Sequence, residues 1–195
     1  MSCFKILLVK VIITCLLLFF SVLGFAQTNP CDSIVWRANR PLKWNDFKAK
    51  PESNVVRAAN THSGFVRSWV VKDYLLKTVM VANFNPCLSW SKNKGSDRLL
   101  RHEQLHFDIT EIFKRLYYKR VAEAAYTPST INGLMKSIYQ NIIVEMQIMQ
   151  ENYDVQTHNS LDADQQAVWQ QKVAGLLNGL RAYDKRELSV ELPRE

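Results

Sequence analysis

The pattern of apolar residues changes once along the chain, at Asp97, and this change limits the possible fold classes. Residues 34–47 predict a short strand and an irregular turn, whereas residues 55–71 and 75–84 are rich in β-branched and aromatic side chains, typical of strands. From Asp97 onward, apolar residues recur at the 3.6-residue spacing of a helix. Strands that precede the helices, rather than alternate with them, indicate an α+β fold with a small N-terminal antiparallel sheet.

Three helices are predicted after the strands, over residues 97–125, 130–157 and 162–186. The breaks between them contain proline, serine and asparagine, which favour turns over helix interiors. Neither a linker nor an internal repeat is visible in the sequence. We therefore predict one domain over residues 27–188, followed by a polar C-terminal tail over residues 189–195.

The first 26 residues have the layout of a secretory signal peptide. Lys5 supplies a basic start, an apolar run follows, and Gly24 and Ala26 are the small residues of a cleavage site. This layout predicts export to the periplasm or the extracellular space, with an uncleaved N-terminal anchor as the alternative. No later apolar run is long enough to cross a bilayer, so we expect no stable membrane span after cleavage.

The composition is that of a globular protein and excludes a disordered chain, because 47% of the residues are hydrophobic and 22% are charged. The formal net charge is +7, and two of the lysines lie within residues 1–26, which leaves +5 on the mature chain. The basic residues are scattered, so a nucleic-acid partner is not expected. The sequence leaves the oligomeric state open.

Two cysteines, Cys31 and Cys87, remain after the predicted signal peptide is removed. An even number of cysteines in an oxidising compartment predicts a disulfide between them. Two buried free thiols are the alternative.

The segment His102-Glu103-Gln104-Leu105-His106 has the H-E-x-x-H pattern and lies inside the first predicted helix. Residues i and i+4 of a helix project from one face roughly 6 Å apart, so both imidazoles can bind one Zn²⁺. Glu103 lies beside this pair and is the predicted general base for a water activated by the metal. Two hydrogen-bonded core histidines, with Glu103 in a surface salt bridge, are the alternative.

A catalytic zinc site needs a third protein ligand. The second predicted helix offers Glu145, a charged residue on an apolar stripe, for which a buried salt bridge is the alternative. Asp154 and His158, again at i and i+4, are the favoured candidates, although Asp154 could instead orient a ligand imidazole. Tyr153 could donate a hydrogen bond to an oxyanion, but packing against the helix is the favoured role for it.

The segment from Leu99 to Ile109, LLRHEQLHFDI, resembles a family of secreted bacterial proteins, the domain of unknown function 922. The likeness extends to LKWNDF at 42–47, ANFNP at 82–86, Ser89-Trp90, Tyr153-Asp154, Thr157, Gln166 and Trp169. Members of this family are regarded as zincin-like zinc-dependent proteases. The resemblance therefore implies peptidase chemistry on a peptide or protein substrate, without naming that substrate.

One segment departs from the family pattern. The family places one residue between a threonine and a His-Gly or His-Ser pair, whereas this chain has Thr157-His158-Asn159-Ser160. The resemblance therefore leaves Asp154, rather than His158, as the position that matches the family.

These observations predict a zincin-like metallopeptidase in which His102 and His106 bind Zn²⁺ and an edge strand of the sheet receives an extended peptide. The alternative is a non-catalytic envelope binding or scaffolding protein that zinc stabilises, or in which the motif is vestigial. A third possibility is a membrane-tethered interaction protein. A closed site with four protein ligands would favour the structural role, and three ligands facing an open cleft would favour catalysis.

Overall fold

The structure of the protein is a computed structural model that describes Asn29, residues 31–127 and residues 129–194. The predicted signal peptide, residues 1–26, lies outside these described residues. Among the helices of the described residues, none is long and apolar enough to cross a membrane.

The predicted α+β fold is confirmed, and its sheet is built on one long hairpin. Strands β3 (Ser63–Lys72) and β4 (Leu75–Phe84), ten residues each, pair antiparallel along their whole length. Asp73 and Tyr74 connect them with φ angles of 51° and 59°. Positive φ at both central residues is what a type I′ hairpin turn requires, and this turn matches the natural twist of the strands.

On its other side, β4 pairs with two short strands, β1 (Ile34–Val35) and β6 (Glu187–Glu191). The polar tail predicted for residues 189–195 is therefore wrong in its first part. Leu188 is buried in the main core and Val190 packs against that core. Residues 187–192 alternate polar and apolar side chains, which is the pattern of a half-buried strand, so the sequence carried a signal for β6 that the predicted tail overlooked.

A second, two-stranded ladder pairs β2 (Ala59–Asn60) with β5 (Trp90–Ser91). It holds the segment that precedes β3 beside the first long helix, where the hydroxyl of Thr61 donates a hydrogen bond to Glu103. This ladder therefore forms one wall of the site described below.

Three long helices follow the strands: α1 (Asp97–Glu123), α2 (Ile131–Gln156) and α3 (Ala163–Gly179). Their starts lie within one residue of the prediction. For α1 and α3 the caps explain this agreement, since Ser96 accepts a hydrogen bond from the Leu99 N–H and Asp162 accepts one from the Gln165 N–H. The predicted end of the third helix is wrong, because α3 stops at Gly179 rather than near residue 186.

Helix α1 is the central element, since it contacts β3 and β4 of the sheet and also the helices α2 and α3. Four of its charged residues are buried as well: Glu103, Glu111, Lys114 and Arg115. Glu111 accepts a hydrogen bond of 2.8 Å from Arg115 and forms an ion pair of 2.8 Å with Lys114, so these charges are paired inside the protein. The motif at the N-terminal end of α1 is therefore held by a rigid, well-packed scaffold.

The predicted disulfide is confirmed: Cys31 and Cys87 are bonded, with their Cα atoms 5.2 Å apart. The bond closes a loop across a sequence separation of 56 residues. Loop-closure entropy for that length predicts that a Cys31→Ser, Cys87→Ser double variant loses about 4 kcal/mol of unfolding free energy. Urea unfolding of both proteins measures this loss. Reduced wild-type protein should match the variant, and equal stability of all three samples would contradict the prediction.

We expect Tyr126 to contribute to a loss of stability at high pH. Its ring is buried, and burial, with a smaller contribution from Tyr117, raises the pKa of Tyr126 to about 12. The unfolded chain releases this proton near pH 10, so unfolding is favoured increasingly between pH 10 and 12, by up to about 1.4 kcal/mol per pH unit. Tyr126→Phe should show a shallower loss of stability than wild type between pH 9 and 11, measured by urea unfolding. Identical slopes would refute this assignment.

Candidate metal centre

The motif residues of α1 face the interior, as predicted. His102 is 2% exposed and Glu103 is 3% exposed, whereas His106 is partly buried. The neighbours Leu99 and Leu105 belong to the buried apolar residues, so the packing of α1 turns both histidines toward α2. The two imidazoles therefore meet the second helix rather than solvent.

Three ligand atoms converge between α1 and α2. Nε2 of His102 and Nε2 of His106 are 3.2 Å apart, and Oδ1 of Asp154 lies 3.1 Å from the first and 3.0 Å from the second. A tetrahedral zinc ion with bonds of about 2.0–2.1 Å places its ligand atoms about 3.3 Å from one another. The group could thus hold a metal ion with little rearrangement.

Gln150 fixes the tautomer of His106. Its Nε2 donates to the backbone carbonyl of His106 at 2.9 Å, so its Oε1 is the atom that lies 2.6 Å from His106 Nδ1. That oxygen can only accept, and Nδ1 must therefore carry the ring proton. The lone pair of His106 is left on Nε2, which faces Asp154.

His102 is supported in a similar way by Gln166 and Tyr153. Oε1 of Gln166 lies 3.1 Å from His102 Nδ1, and it also accepts a hydrogen bond of 2.9 Å from the Tyr153 hydroxyl. The Tyr153 ring stacks on the His102 ring with centroids 4.5 Å apart. Tyr153 thus packs against His102 and supports it, which is the role that the sequence favoured, and its hydroxyl donates to Gln166.

The electrostatics of the cluster favour an anionic Asp154. Burial alone would raise the pKa of the Asp154 carboxyl, but hydrogen bonds and charge interactions with His102 and His106 hold that pKa well below its usual range. Burial alone would also lower the pKa of His106, which Asp154 raises. A carboxylate and two ring nitrogens this close need a positive charge among them, and either a proton or a metal cation supplies it.

Glu103 lies in the same cleft as the three ligand atoms but does not belong to their group. Its Oε2 accepts a hydrogen bond of 2.7 Å from Thr61, while its Oε1 accepts none from the part of the chain that the structure describes. It is buried and forms no salt bridge with any described residue, so the alternative of a surface ion pair is wrong. One carboxylate oxygen is therefore held, and the other is free to receive a proton.

A cleft of about 300 Å³ contains the cluster. Residues 57–61 and Ser63 line one wall, and α2 residues between Met146 and Asp154 line the other, with His102, Glu103 and His106 also contributing. The cleft is large enough for a short stretch of a ligand chain beside the three ligand atoms.

His158, the other favoured third ligand, lies outside the cluster, and that prediction is wrong. Its side chain is 73% exposed, and its Nδ1 is 3.7 Å from the carboxylate of Asp162. Helix α2 ends at Gln156, and His158 has a φ of 49°. The helical i, i+4 relation with Asp154 is therefore broken before it reaches His158.

Glu145 also lies away from the cluster, and its role as a ligand is wrong. It forms two hydrogen bonds with Arg120, at 2.8 and 2.6 Å, which lower the pKa of Glu145. The predicted alternative, an ion pair, is confirmed, although the pair is only partly buried. Glu145 precedes Asp154 by nine residues, or two and a half helical turns, so the two side chains project from opposite faces of α2.

The sequence did not identify Thr61 and Gln150 as site residues, and Gln166 entered only through the family resemblance. Gln150 precedes Asp154 by four residues, so helical spacing alone could have placed it on the same face as the ligand. Thr61 and Gln166 come from other elements, and nothing in their local sequence marks them.

Comparisons of the chain with protein-family models, with curated proteins and with solved structures found no match. The geometry of the site and the motifs in the sequence are therefore the basis for assigning a function.

Proposed function

We propose that the protein is an exported zinc-dependent peptidase that hydrolyses peptide bonds. The observation that carries this proposal is the triangle formed by two imidazole nitrogens and one carboxylate oxygen, beside the unengaged oxygen of Glu103. Three protein ligands and one open position are typical of catalytic zinc sites. The export step rests on the predicted signal peptide.

The donor set supports zinc as the metal. Two nitrogens and one oxygen with near-tetrahedral spacing suit Zn²⁺, whereas Ca²⁺ and Mg²⁺ prefer six or more oxygen ligands, including waters. A structural zinc site would be closed by a fourth protein ligand. Among the described residues, no other His, Cys, Asp or Glu joins His102, His106 and Asp154, which favours catalysis over the scaffolding alternative.

Each residue of the site has a separate role in the proposed reaction. His102, His106 and Asp154 would hold Zn²⁺, which when bound would polarise the substrate carbonyl and lower the pKa of a water to about 7. Glu103 would accept one proton as a water attacks the carbonyl carbon, and would donate it to the amide nitrogen as the C–N bond breaks. Thr61 holds the Glu103 carboxylate in place, and Gln150 and Gln166 hold the imidazole rings.

The outer edge of β3 supports an extended peptide as the substrate. In the described chain, β3 pairs only with β4, so its other edge carries backbone N–H and C=O groups that no strand covers. β3 begins at Ser63, which lines the cleft. A peptide added to this edge would continue past the metal ligands, and main-chain hydrogen bonds would hold it there.

Cleavage of a random library of internally quenched peptides tests the proposal. The chain from Gln27 onward, loaded with Zn²⁺, should cleave members of the library at neutral pH. 1,10-Phenanthroline should stop the cleavage, and added Zn²⁺ should restore it. Zinc-loaded protein that leaves the whole library intact would overturn the proposal.

A further inference from the structure

The turn that follows α2 has an unusual backbone. Three consecutive residues, His158, Asn159 and Ser160, have φ angles of 49°, 52° and 76°. None of them is glycine, and side chains disfavour this left-handed conformation. Strain of this kind persists only where the surrounding structure imposes it, and it is frequent at functional sites.

Hydrogen bonds tie this turn to the metal ligand. The N–H of Asn159 donates to the backbone carbonyl of Asp154 at 2.8 Å, and the N–H of His158 donates to the carbonyl of Val155 at 3.2 Å. Both His158 and Asn159 are exposed, but Asn159 lines the cleft and His158 does not. The turn therefore brings Asn159, rather than its neighbour, to the site.

Most polar side chains of the cleft are already engaged. Thr61 donates to Glu103, Gln150 bonds to His106, and Arg57 donates to Asn60. These groups hold one another or the site residues in place. They are therefore poorly suited to donate a new hydrogen bond to a substrate.

Two amides of the cleft remain, and Asn159 is the better placed of them. The side chains of Gln147 and Asn159 form no hydrogen bonds with the rest of the described protein. Gln147 precedes Asp154 by seven residues, which is about 10 Å along the axis of α2. Asn159, in contrast, is bonded through its backbone to Asp154 itself.

We propose that the side-chain amide of Asn159 donates a hydrogen bond to the carbonyl oxygen of the scissile peptide bond as that oxygen becomes negatively charged. This inference rests on the proposed peptidase function. An N–H donor within reach of the oxyanion stabilises the transition state more than the ground state, because the hydrogen bond strengthens as negative charge develops on the oxygen. A neutral amide does so without adding a cation that would compete with the metal for Asp154.

Glycine substitutions test the effect of the Asn159 side-chain amide separately from the effect of the left-handed turn. Asn159→Gly removes the amide and tolerates the left-handed backbone, while His158→Gly makes the matched change one residue earlier, outside the cleft. We expect Asn159→Gly to lower kcat about 100- to 1,000-fold on a peptide that the wild type cleaves, with KM nearly unchanged. His158→Gly should match the wild type in kcat and in KM.

Two readouts that do not depend on turnover complete the test. The zinc Kd, measured by competition with a chromophoric chelator, should be the same in wild type and both variants. The affinity for a phosphinic pseudopeptide, which mimics the tetrahedral transition state, should fall in Asn159→Gly in parallel with kcat/KM. Asn159→Asp, which keeps the shape but repels an oxyanion, should show a loss at least as large.

The outcomes distinguish this inference from the proposed function. Full turnover by Asn159→Gly, or loss of zinc from this variant, would overturn the role of Asn159. The proposed peptidase function would still stand if the wild type cleaved peptides and Glu103→Gln did not. A zinc-loaded wild type that neither cleaves the peptides nor binds the pseudopeptide would overturn both proposals.

Discussion

Glu103→Gln should lower kcat about 100- to 10,000-fold, the range expected for loss of a general base, and leave the zinc content unchanged. Glutamine keeps the shape of the side chain and can still accept the hydrogen bond from Thr61. It cannot accept a proton from the water. Steady-state cleavage of a quenched peptide and metal analysis of the same sample measure both quantities.

A glutamate elsewhere on α1 provides the control for this experiment. Glu123 lies at the other end of the helix, and its exposed side chain is 4.0 Å from Lys119. Glu123→Gln makes the same chemical change and should keep wild-type kcat. Undiminished turnover in Glu103→Gln would mean that another group removes the proton, and the mechanism proposed for this residue would be wrong.

Asp154→Asn and His106→Ala should each weaken zinc binding by more than about 100-fold. Loss of a residue that only hydrogen-bonds to a metal ligand already lowers metal affinity about 10- to 100-fold, and loss of a ligand itself should lower it further. Asparagine preserves the shape of Asp154 but removes the negative charge that its two histidine neighbours stabilise. Zinc at 100 times its Kd should stabilise the wild type by about 2.7 kcal/mol, and this stabilisation should vanish in both variants. Isothermal titration and thermal unfolding with added zinc measure these effects.

The two rejected ligand candidates are the matched controls. His158→Ala removes an exposed imidazole, and Glu145→Gln removes a carboxylate that is paired with Arg120. Both variants should bind zinc as tightly as the wild type. A wild-type Kd in Asp154→Asn, or loss of zinc from His158→Ala, would show that the convergence of ligand atoms seen in the structure does not define the metal site.

The parts of the site that sequence could predict are those that depend on local helical spacing. The pair His102 and His106 is fixed by the 3.6-residue period of α1, and Ser96, which caps that helix, precedes the predicted first residue by one position. The disulfide followed from counting the cysteines outside the predicted signal peptide. Each of these inferences needs only neighbours in sequence or a whole-chain count.

The third ligand was harder to assign from the sequence, because the assignment depends on where α2 ends. Asp154 and His158 looked equivalent because both fit an i, i+4 pair, and only the end of α2 at Gln156 separates them. Helix ends are the least certain part of any sequence-based assignment. Glu145 was misjudged for a different reason, since its apolar stripe predicted burial but did not show that Arg120 of another helix lies opposite.

The position of β6 has a consequence for how the protein is assembled. Its residues pair with Leu75–Val79, more than about 100 positions earlier in the chain, so this part of the sheet forms only after residues 187–191 have been synthesised. A fragment that ends after α3 would contain every ligand atom of the cluster, but it would expose Leu75–Val79 of β4 in addition to the open edge of β3 and would be more prone to self-association. Attempts to produce a minimal version of this protein should therefore retain residues 187–191.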